Sequence, residues 1–401
     1  MFGQFAWVSG GRVVAALLQA VSLILLARLV SPFEFGIFSV ALGVLMVAQA
    51  AADLGISTFA IRERSAHPSS GLVAAALRLN NRLSAGLAGA SALALALLAL
   101  IEAEYLLILP LAVWAAAERN ADAWMGIAVA DRRADVSSLA LVVRRVATVL
   151  LFVGLSIAGT EPLLGYSVAL AVAAVLSSAF ARRWVHARLT EPDARIPASE
   201  VLRSTWPYWL NTLGTQVRNI DVVIVSAVAG GAQAGFYAVA SRLTVPLRLI
   251  PTSLASAILP EASTRSGRNV VPLLSAAGGL VAAMSILYVG VALAVPWAVP
   301  LLLGNQYVPS VPVIQVVVVG LVFAALASVA AAILQGIGQT RYVAGAAVTM
   351  SLACIVLVAV GSVAGGALGA AWGLILSFAI QAIALTIRLA VHVVRSARYE
   401  H

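Results

Sequence analysis

Residues 35–41 read FGIFSVA, and residues 234–240 read AGFYAVA. At this offset (235 − 36 = 199) Gly36 falls on Gly235, Ser39 on Ala238 and Ala41 on Ala240. The register carries beyond the strings: Trp7 falls on Trp206, Arg12 on Asn211, Gln19 on Arg218, Ser22 on Asp221 and Gln49 on Arg248. Polar positions of the first two apolar segments therefore recur in the seventh and eighth. The chain reads as two copies of one design.

The medium of that design follows from composition. Of 401 residues, 62% are hydrophobic and 10% charged, against about 25% charged in a soluble domain. Apolar runs of roughly 20 residues recur along the chain, each long enough to cross the hydrocarbon core. They are rich in Ala, Leu and Val and do not alternate with period two, which predicts helices rather than barrel strands. Twelve spans are expected, near residues 7–29, 36–58, 80–100, 105–129, 136–158, 162–183, 205–229, 232–259, 272–298, 308–336, 342–364 and 368–394. The fold class is thus an all-α integral membrane protein of about twelve transmembrane helices. Two pseudo-symmetric six-helix bundles are expected. The first span lacks the basic leader and cleavage site of a signal peptide. The long polar connector containing TEPDARIP sets the expected organisation: an N-terminal lobe over 1–190, a cytoplasmic linker over 191–204 and a C-terminal lobe over 205–401. Six spans per copy make the repeats parallel, related about an axis along the membrane normal.

All 25 basic residues are arginine, so a P-loop ATPase and a Schiff-base lysine are both excluded. The single Cys354 makes no intramolecular disulfide, and His67, His186, His392 and His401 are too scattered for a metal cluster. Connectors alternate sharply. One set holds Arg62, Arg64, Arg78, Arg82, Arg132, Arg133, Arg182, Arg183, Arg188, Arg195, Arg203, Arg265, Arg268, Arg341, Arg395 and Arg398; the other is short and holds Glu34, Glu102, Glu104 and Glu161, its only arginine being Arg28 at a helix end. The arginine-rich face is cytoplasmic by the positive-inside rule, which places both termini in the cytoplasm. The net charge of +9 expresses that bias and attraction to anionic lipid; no nucleic acid is implied.

Charge inside the spans marks the candidate sites. Each charged side chain at mid-bilayer costs at least about 2.5–3.5 kcal/mol, so such residues are expected to face the bundle interior. Candidates to line a substrate cavity are Arg12, Gln19, Gln49, Arg119, Arg145, Asn211, Arg218, Arg242 and Arg248. Asp53, Glu118, Asp122 and Asp221 are candidates for ion coupling or structural pairing. Arg218 with Asp221, and Arg119 with Asp122, are close enough along a helix to pair; Arg12, Arg145, Arg242 and Arg248 lack a local carboxylate. Arg144 and Arg145, as neighbours, are expected to face different directions. Guanidinium forks bind phosphate oxygens in pairs, so a cationic cavity suits a pyrophosphate or acidic sugar. Gly365, Gly369 and Gly373 have the small-xxx-small spacing of close helix packing. Pro246, Pro251 and Pro260 predict a bend in the eighth span, and Pro296 and Pro300 one in the ninth.

Three stretches carry a resemblance. ARLVSPFEFGIFSVALGVLMVAQAAADLGI (27–56), DVVIVSAVAGGAQAGFYAVASRL (221–243) and LLLGNQYVPSVPVIQ (301–315) resemble the corresponding segments of polysaccharide exporters in the multidrug, oligosaccharidyl-lipid and polysaccharide (MOP) superfamily. The likeness extends over nearly the whole chain. It implies a central cavity between the two bundles and an O-antigen (Wzx-like) flippase of the bacterial inner membrane. Such a protein moves undecaprenyl-pyrophosphate-linked oligosaccharide by alternating access, without enzymatic chemistry or a bound cofactor, and Na+ or H+ is the candidate coupling ion. An aspartate at the position of Asp221 recurs in many relatives. Expected partners are the lipid-linked substrate, membrane lipids, glycosyltransferases and a polysaccharide polymerase; a monomer is expected. The two extra C-terminal helices of peptidoglycan-precursor flippases are not in this sequence, which argues against lipid II as cargo. The alternative is a multidrug or small-molecule cation antiporter of the same superfamily. A polysaccharide polymerase or ligase fits less well, since the outer loops are short and lack histidine.

Overall fold

A computed structural model describes residues 2–189, 196–263 and 271–399, and every regular element among them is helical. In chain order these are α1 (Phe2–Leu29), α2 (Pro32–Asp53), α3 (Ile56–Ala66), α4 (Gly71–Leu98), α5 (Glu104–Leu107), α6 (Leu111–Ala130), α7 (Ala134–Ile157) and α8 (Pro162–His186). They continue with α9 (Ala198–Gln216), α10 (Asp221–Ala229), α11 (Gly231–Leu243), α12 (Val245–Ser263), α13 (Val271–Leu302), α14 (Val311–Gly336) and α15 (Thr340–Tyr399).

Twelve spans follow from these elements. Among the described residues, α1, α2, α4, α7, α8, α13, α14 and α15 are long and apolar enough to cross a bilayer. Helix α15 holds two spans, because Gly365 (φ −158°, ψ 28°) and Gly366 (φ 57°, ψ −135°) leave the helical region midway. Helix α6 makes a tenth, its hydropathy lowered by Glu118, Arg119 and Asp122. The pairs α9–α10 and α11–α12 supply the last two. Both were expected to be continuous. The first is broken by the 3₁₀ turn Val217–Ile220. The second breaks at Thr244, one residue before the α12 turn that holds Pro246, because proline cannot continue the hydrogen-bond ladder. By contrast, α13 runs unbroken through Pro296 and Pro300.

Helix starts are written locally. In Ser31-Pro32-Phe33-Glu34 the Ser31 N–H donates to the Glu34 carboxylate (2.7 Å) and the Glu34 N–H to Ser31 Oγ (3.3 Å), a capping box with proline in the first turn. Glu161 caps α8, accepting from the Leu163 and Leu164 N–H groups at 3.0 and 2.7 Å, again with proline next in sequence.

The chain divides into two compact units, Met1–Val30 with Ile37–Ile220, and Ser31–Gly36 with Asp221–His401. In the first, α6 is central and packs on α3, α4, α7 and α8, while α1 lies on α7 and α8. Its core includes Leu77, Trp124, Met125, Ile127 and Val185. Helix α9 belongs to this unit, packed on α3 and α4; the contact boundary thus falls later than the 191–204 connector, of which residues 190–195 lie outside the described residues.

In the second unit α14 is central and packs on α11, α12, α13 and α15. Ser31–Gly36 counts here because the start of α2 meets α11 with almost no space between backbones. A Cβ on Gly36 would stand 2.1 Å from the Gly231 carbonyl oxygen, and one on Gly235 1.8 Å from the Pro32 oxygen. These contacts are reciprocal under the repeat: Gly36 aligns with Gly235, and Pro32 with Gly231. The halves of α15 cross by the same device, with Gly361 and Gly369 each facing the other's carbonyl oxygen at 2.1 and 2.0 Å from a built Cβ, and Gly373 facing Leu357 O at 2.2 Å. Gly365 sits in the bend instead, so the working small-residue set is 361, 369 and 373.

Close approach of this kind tolerates no side chain. Gly369→Val is expected to destabilise the second unit by about 1–3 kcal/mol, the cost of overpacking, read as a lowered melting temperature of the detergent-solubilised chain. Gly278→Val, where a built Cβ meets nothing within 4 Å, is expected to leave it unchanged.

Candidate functional site

Helices α6 and α7 carry the densest charge in the first unit, and the packing of one on the other decides how it pairs. Glu118 (9% exposed) accepts from Arg145 Nη2 at 2.6 Å and from Trp114 Nε1 at 2.5 Å, with Arg144 Nη2 at 3.8 Å. Arg144, itself 4% exposed, donates to Asp122 at 2.8 Å. Two expectations are corrected here. Asp122 pairs with Arg144 across helices rather than with Arg119 one turn back, and Arg145 has a carboxylate partner after all. Arg144 and Arg145 also converge on Glu118 despite being sequence neighbours, since long guanidinium side chains from adjacent positions reach round to one acceptor.

Arg119 turns the other way. It donates to Ser84 Oγ (2.8 Å), to the Ala52 carbonyl (2.7 Å) and, at 3.4 Å, to the Asn80 carbonyl; Asp53 Oδ1 lies 3.9 Å off. The reason is the break after α2. Leu54 (φ 49°) and Gly55 (φ 77°) adopt left-handed backbone, which leaves the last carbonyls of α2 without intrahelical donors. Arg119 meets Ala52 O and Trp209 Nε1 meets Ala51 O at 3.0 Å. Asp53 also accepts from Ser57 Oγ at 2.5 Å. Beside this cluster the fully buried Asn80 carboxamide has no hydrogen-bond partner among the described residues.

The remaining sequence candidates fall elsewhere. Gln49 donates to Ala115 O at 2.8 Å. Gln19 is half-buried on α1, and its carbonyl accepts from Ser22 Oγ (2.8 Å), whose hydroxyl also meets Tyr166 Oη (2.9 Å). Arg12 is exposed on α1 and lines a cavity of about 310 Å³ with Asp122, Arg144, Ser137 and Ser138. In the second unit Asp221 opens α10, accepting from the Val222 N–H at 2.8 Å and Tyr237 Oη at 3.0 Å. Arg242 is within electrostatic reach of Asp221, Tyr237 and Arg248, and the Arg248 guanidinium lies 5.9 Å from the Phe378 ring centroid. The side chains of Asn211 and Arg218, and so the expected Arg218–Asp221 pair, lie outside the described residues.

Two constellations therefore form, one around Glu118 and one around Asp221. Glu118 and Asp122 balance Arg144 and Arg145, and Arg12 lines the cavity beside them; Asp221 is within electrostatic reach of Arg242. Sequence reading missed Trp114, Ser57 and Tyr237 as partners. Trp114 stands four residues before Glu118 on α6, a helical neighbour spacing, whereas Ser57 reaches Asp53 across the break between α2 and α3. Tyr237 occupies the repeat position of Phe38, whose ring packs edge-on against Tyr166 at 5.4 Å.

A family model described as "Polysaccharide biosynthesis protein" matches residues 3–264. The chain belongs to this family. Solved structures at low identity show the fold. An inward-facing multidrug resistance MATE family transporter of the MOP superfamily aligns at TM-score 0.77 and 16% identity, covering 96% of each chain. The lipid II flippase MurJ, in an inward closed conformation, aligns at 0.69 and 12% identity over 97% of this chain and 89% of its own. An outward-facing MATE transporter of the MOP superfamily aligns at 0.61 and 16% identity over 98% and 95%. No curated protein matches by sequence. This polysaccharide-family chain is thus a multi-pass membrane protein with the twelve-helix fold of MOP-superfamily transporters.

If Arg119 holds the α2–α3 break as described, Arg119→Gln leaves Asp53 a buried charge without its cation. The expected cost is about 3–5 kcal/mol, measured by thermal unfolding in detergent. Adding Asp53→Asn is expected to recover part of that loss, and failure to recover any would remove the pairing.

Proposed function

We propose that this protein is a flippase. It carries an undecaprenyl-pyrophosphate-linked oligosaccharide, a polysaccharide repeat unit such as that of O-antigen, across the bacterial inner membrane by alternating access. The observation that carries the reading is the coincidence of a polysaccharide-biosynthesis family with a transporter fold. A family devoted to glycan assembly needs the membrane step that brings a lipid-linked unit from the side of synthesis to the side of polymerisation. In that role the protein performs no bond chemistry. It works beside glycosyltransferases and a polymerase, with both termini on the arginine-rich cytoplasmic side.

The charge pattern supports an anionic cargo. Arg12 shares its cavity with Arg144 and a single carboxylate, Asp122. Guanidinium groups match phosphate oxygens in bidentate geometry and carry their charge at every physiological pH. Arg12, Arg145, Arg218 and Arg248 are the arginines we propose to contact the cargo's headgroup during transport, while its isoprenoid tail stays in the bilayer. Coupling to Na+ or H+ falls to a buried carboxylate. The candidates are Asp53, Glu118, Asp122 and Asp221; the arginine nearest Asp53 is 3.9 Å away. The multidrug antiporters that share the fold give the competing reading, but a cavity rich in arginine is a poor host for organic cations.

Reconstituted proteoliposomes loaded with fluorescent undecaprenyl-pyrophosphate oligosaccharide test this. Wild type is expected to move the headgroup to the opposite leaflet, and correctly folded Arg218→Ala to do so at least about tenfold more slowly, the loss of one charge-assisted contact. Export of a cationic dye under a proton gradient, with no movement of the oligosaccharide lipid, would establish the antiporter instead.

A further inference from the structure

One face of α4 changes character along its length. Arg78, Arg82, Gly86, Gly89, Leu93 and Leu97 follow one another at spacings of three and four, so they fall on one side of the helix. From Arg82 onward each of them is exposed, Leu93 to 63% and Leu97 to 56%. At Gly86 and Gly89 a built Cβ would meet nothing within 4 Å, so the glycines leave a shallow trough open to the side. At the arginine-rich end, residues 196–198, which lead into α9, line a cavity of about 730 Å³ together with Ala75, Arg78, Leu79 and Arg82. Its floor is apolar: Ala75, Leu79 and Ile196 pack in the cluster of Ile56 and Phe59. Its lining has two guanidinium groups and no carboxylate. Arg78 is half-buried, while Arg82 has no hydrogen-bond or ion-pair partner among the described residues.

We propose that this face of α4 binds one anionic phospholipid from the leaflet on the arginine-rich side, its phosphodiester on Arg82 and Arg78 and an acyl chain along the trough of Gly86 and Gly89. Depth, charge and shape agree. Glu102, an acid of the opposite side, follows Arg82 by 20 residues (102 − 82), the length that crosses a hydrocarbon core. Arg82 therefore stands at headgroup depth, and the glycines and leucines beyond it stand at acyl-chain depth. Guanidinium forks match phosphate oxygens, and basic pockets between transmembrane helices hold anionic headgroups. A zwitterionic lipid brings a cation beside its phosphate, and this lining has no carboxylate to receive it. The ligand is a component of the bilayer rather than cargo, so the site does not depend on the flippase reading. Because the cavity is shared by α4 and the stretch entering α9, its occupant touches both.

Native mass spectrometry of the full chain in detergent tests the site. The probes are phosphatidylglycerol and phosphatidylethanolamine with the same acyl chains. Wild type is expected to retain phosphatidylglycerol at least about fivefold better. Arg82→Gln removes an exposed, partnerless charge and is expected to lower that retention about fivefold, at about 1 kcal/mol for one arginine near the membrane surface. Arg183→Gln, which removes an exposed charge at the arginine-rich end of α8, is expected to match wild type. Gly89→Phe, which fills the trough where there is room for a side chain, is expected to lower retention as well. Gly290→Phe, equally unobstructed on α13, is expected not to. Equal retention of the two lipids by wild type overturns the proposal, as does undiminished retention by Arg82→Gln. An equal loss in Arg183→Gln would reduce the effect to diffuse surface charge. Complete displacement of the lipid by millimolar inorganic phosphate would make the site one for a free anion, and either result also overturns it.

Discussion

A charge cannot rest in hydrocarbon without a partner, and in this molecule that constraint is met chiefly at Glu118. Its carboxylate accepts from Arg145 and from Trp114 and lies near Arg144, which in turn holds Asp122. These contacts fasten α7 to α6 at one register. Because α6 also packs on α3, α4 and α8, the position it takes is passed to most of the first unit. Desolvating ions is expensive, and a buried pair repays the cost only while both members are present. The network therefore behaves as one unit: its net contribution is modest, and the loss of any one member is costly.

The second unit solves the same problem with a helix terminus. The turn at Val217–Ile220 places Asp221 at the start of α10, where a carboxylate satisfies an orphan N–H and favours the positive end of the helix dipole. Tyr237 holds the other oxygen. Glycine then sets how close backbones come, at the Pro32–Gly36 contact with α11 and between the halves of α15. In a membrane, where apolar burial drives little association, such close van der Waals packing takes over that role.

Much of this was legible before any coordinates. Apolar run length and the alternation of arginine-rich and acidic connectors located twelve spans, and the offset of 199 aligned Gly36 with Gly235, which prove to meet reciprocal partners. Breaks inside spans were harder. Pro246 announced one; Val217–Ile220 has no proline or glycine to announce the other. Pairing was the least legible. Sequence reading joins residues three or four apart on one helix, whereas Arg144, Arg145 and Arg119 reach acceptors on other helices. Gly365 fitted the packing motif by spacing alone, yet the chain uses it to turn.

The most direct test of the account is a double-mutant cycle on Glu118 and Arg145, followed by thermal unfolding of the detergent-solubilised chain. If the pair governs the first unit, Glu118→Gln and Arg145→Gln each destabilise it. The double variant then loses less than the sum, with a coupling of about 1–3 kcal/mol. Additive losses, within about 0.5 kcal/mol, would mean that the two charges do not act on one another, and the account of how this bundle holds its charges would fail.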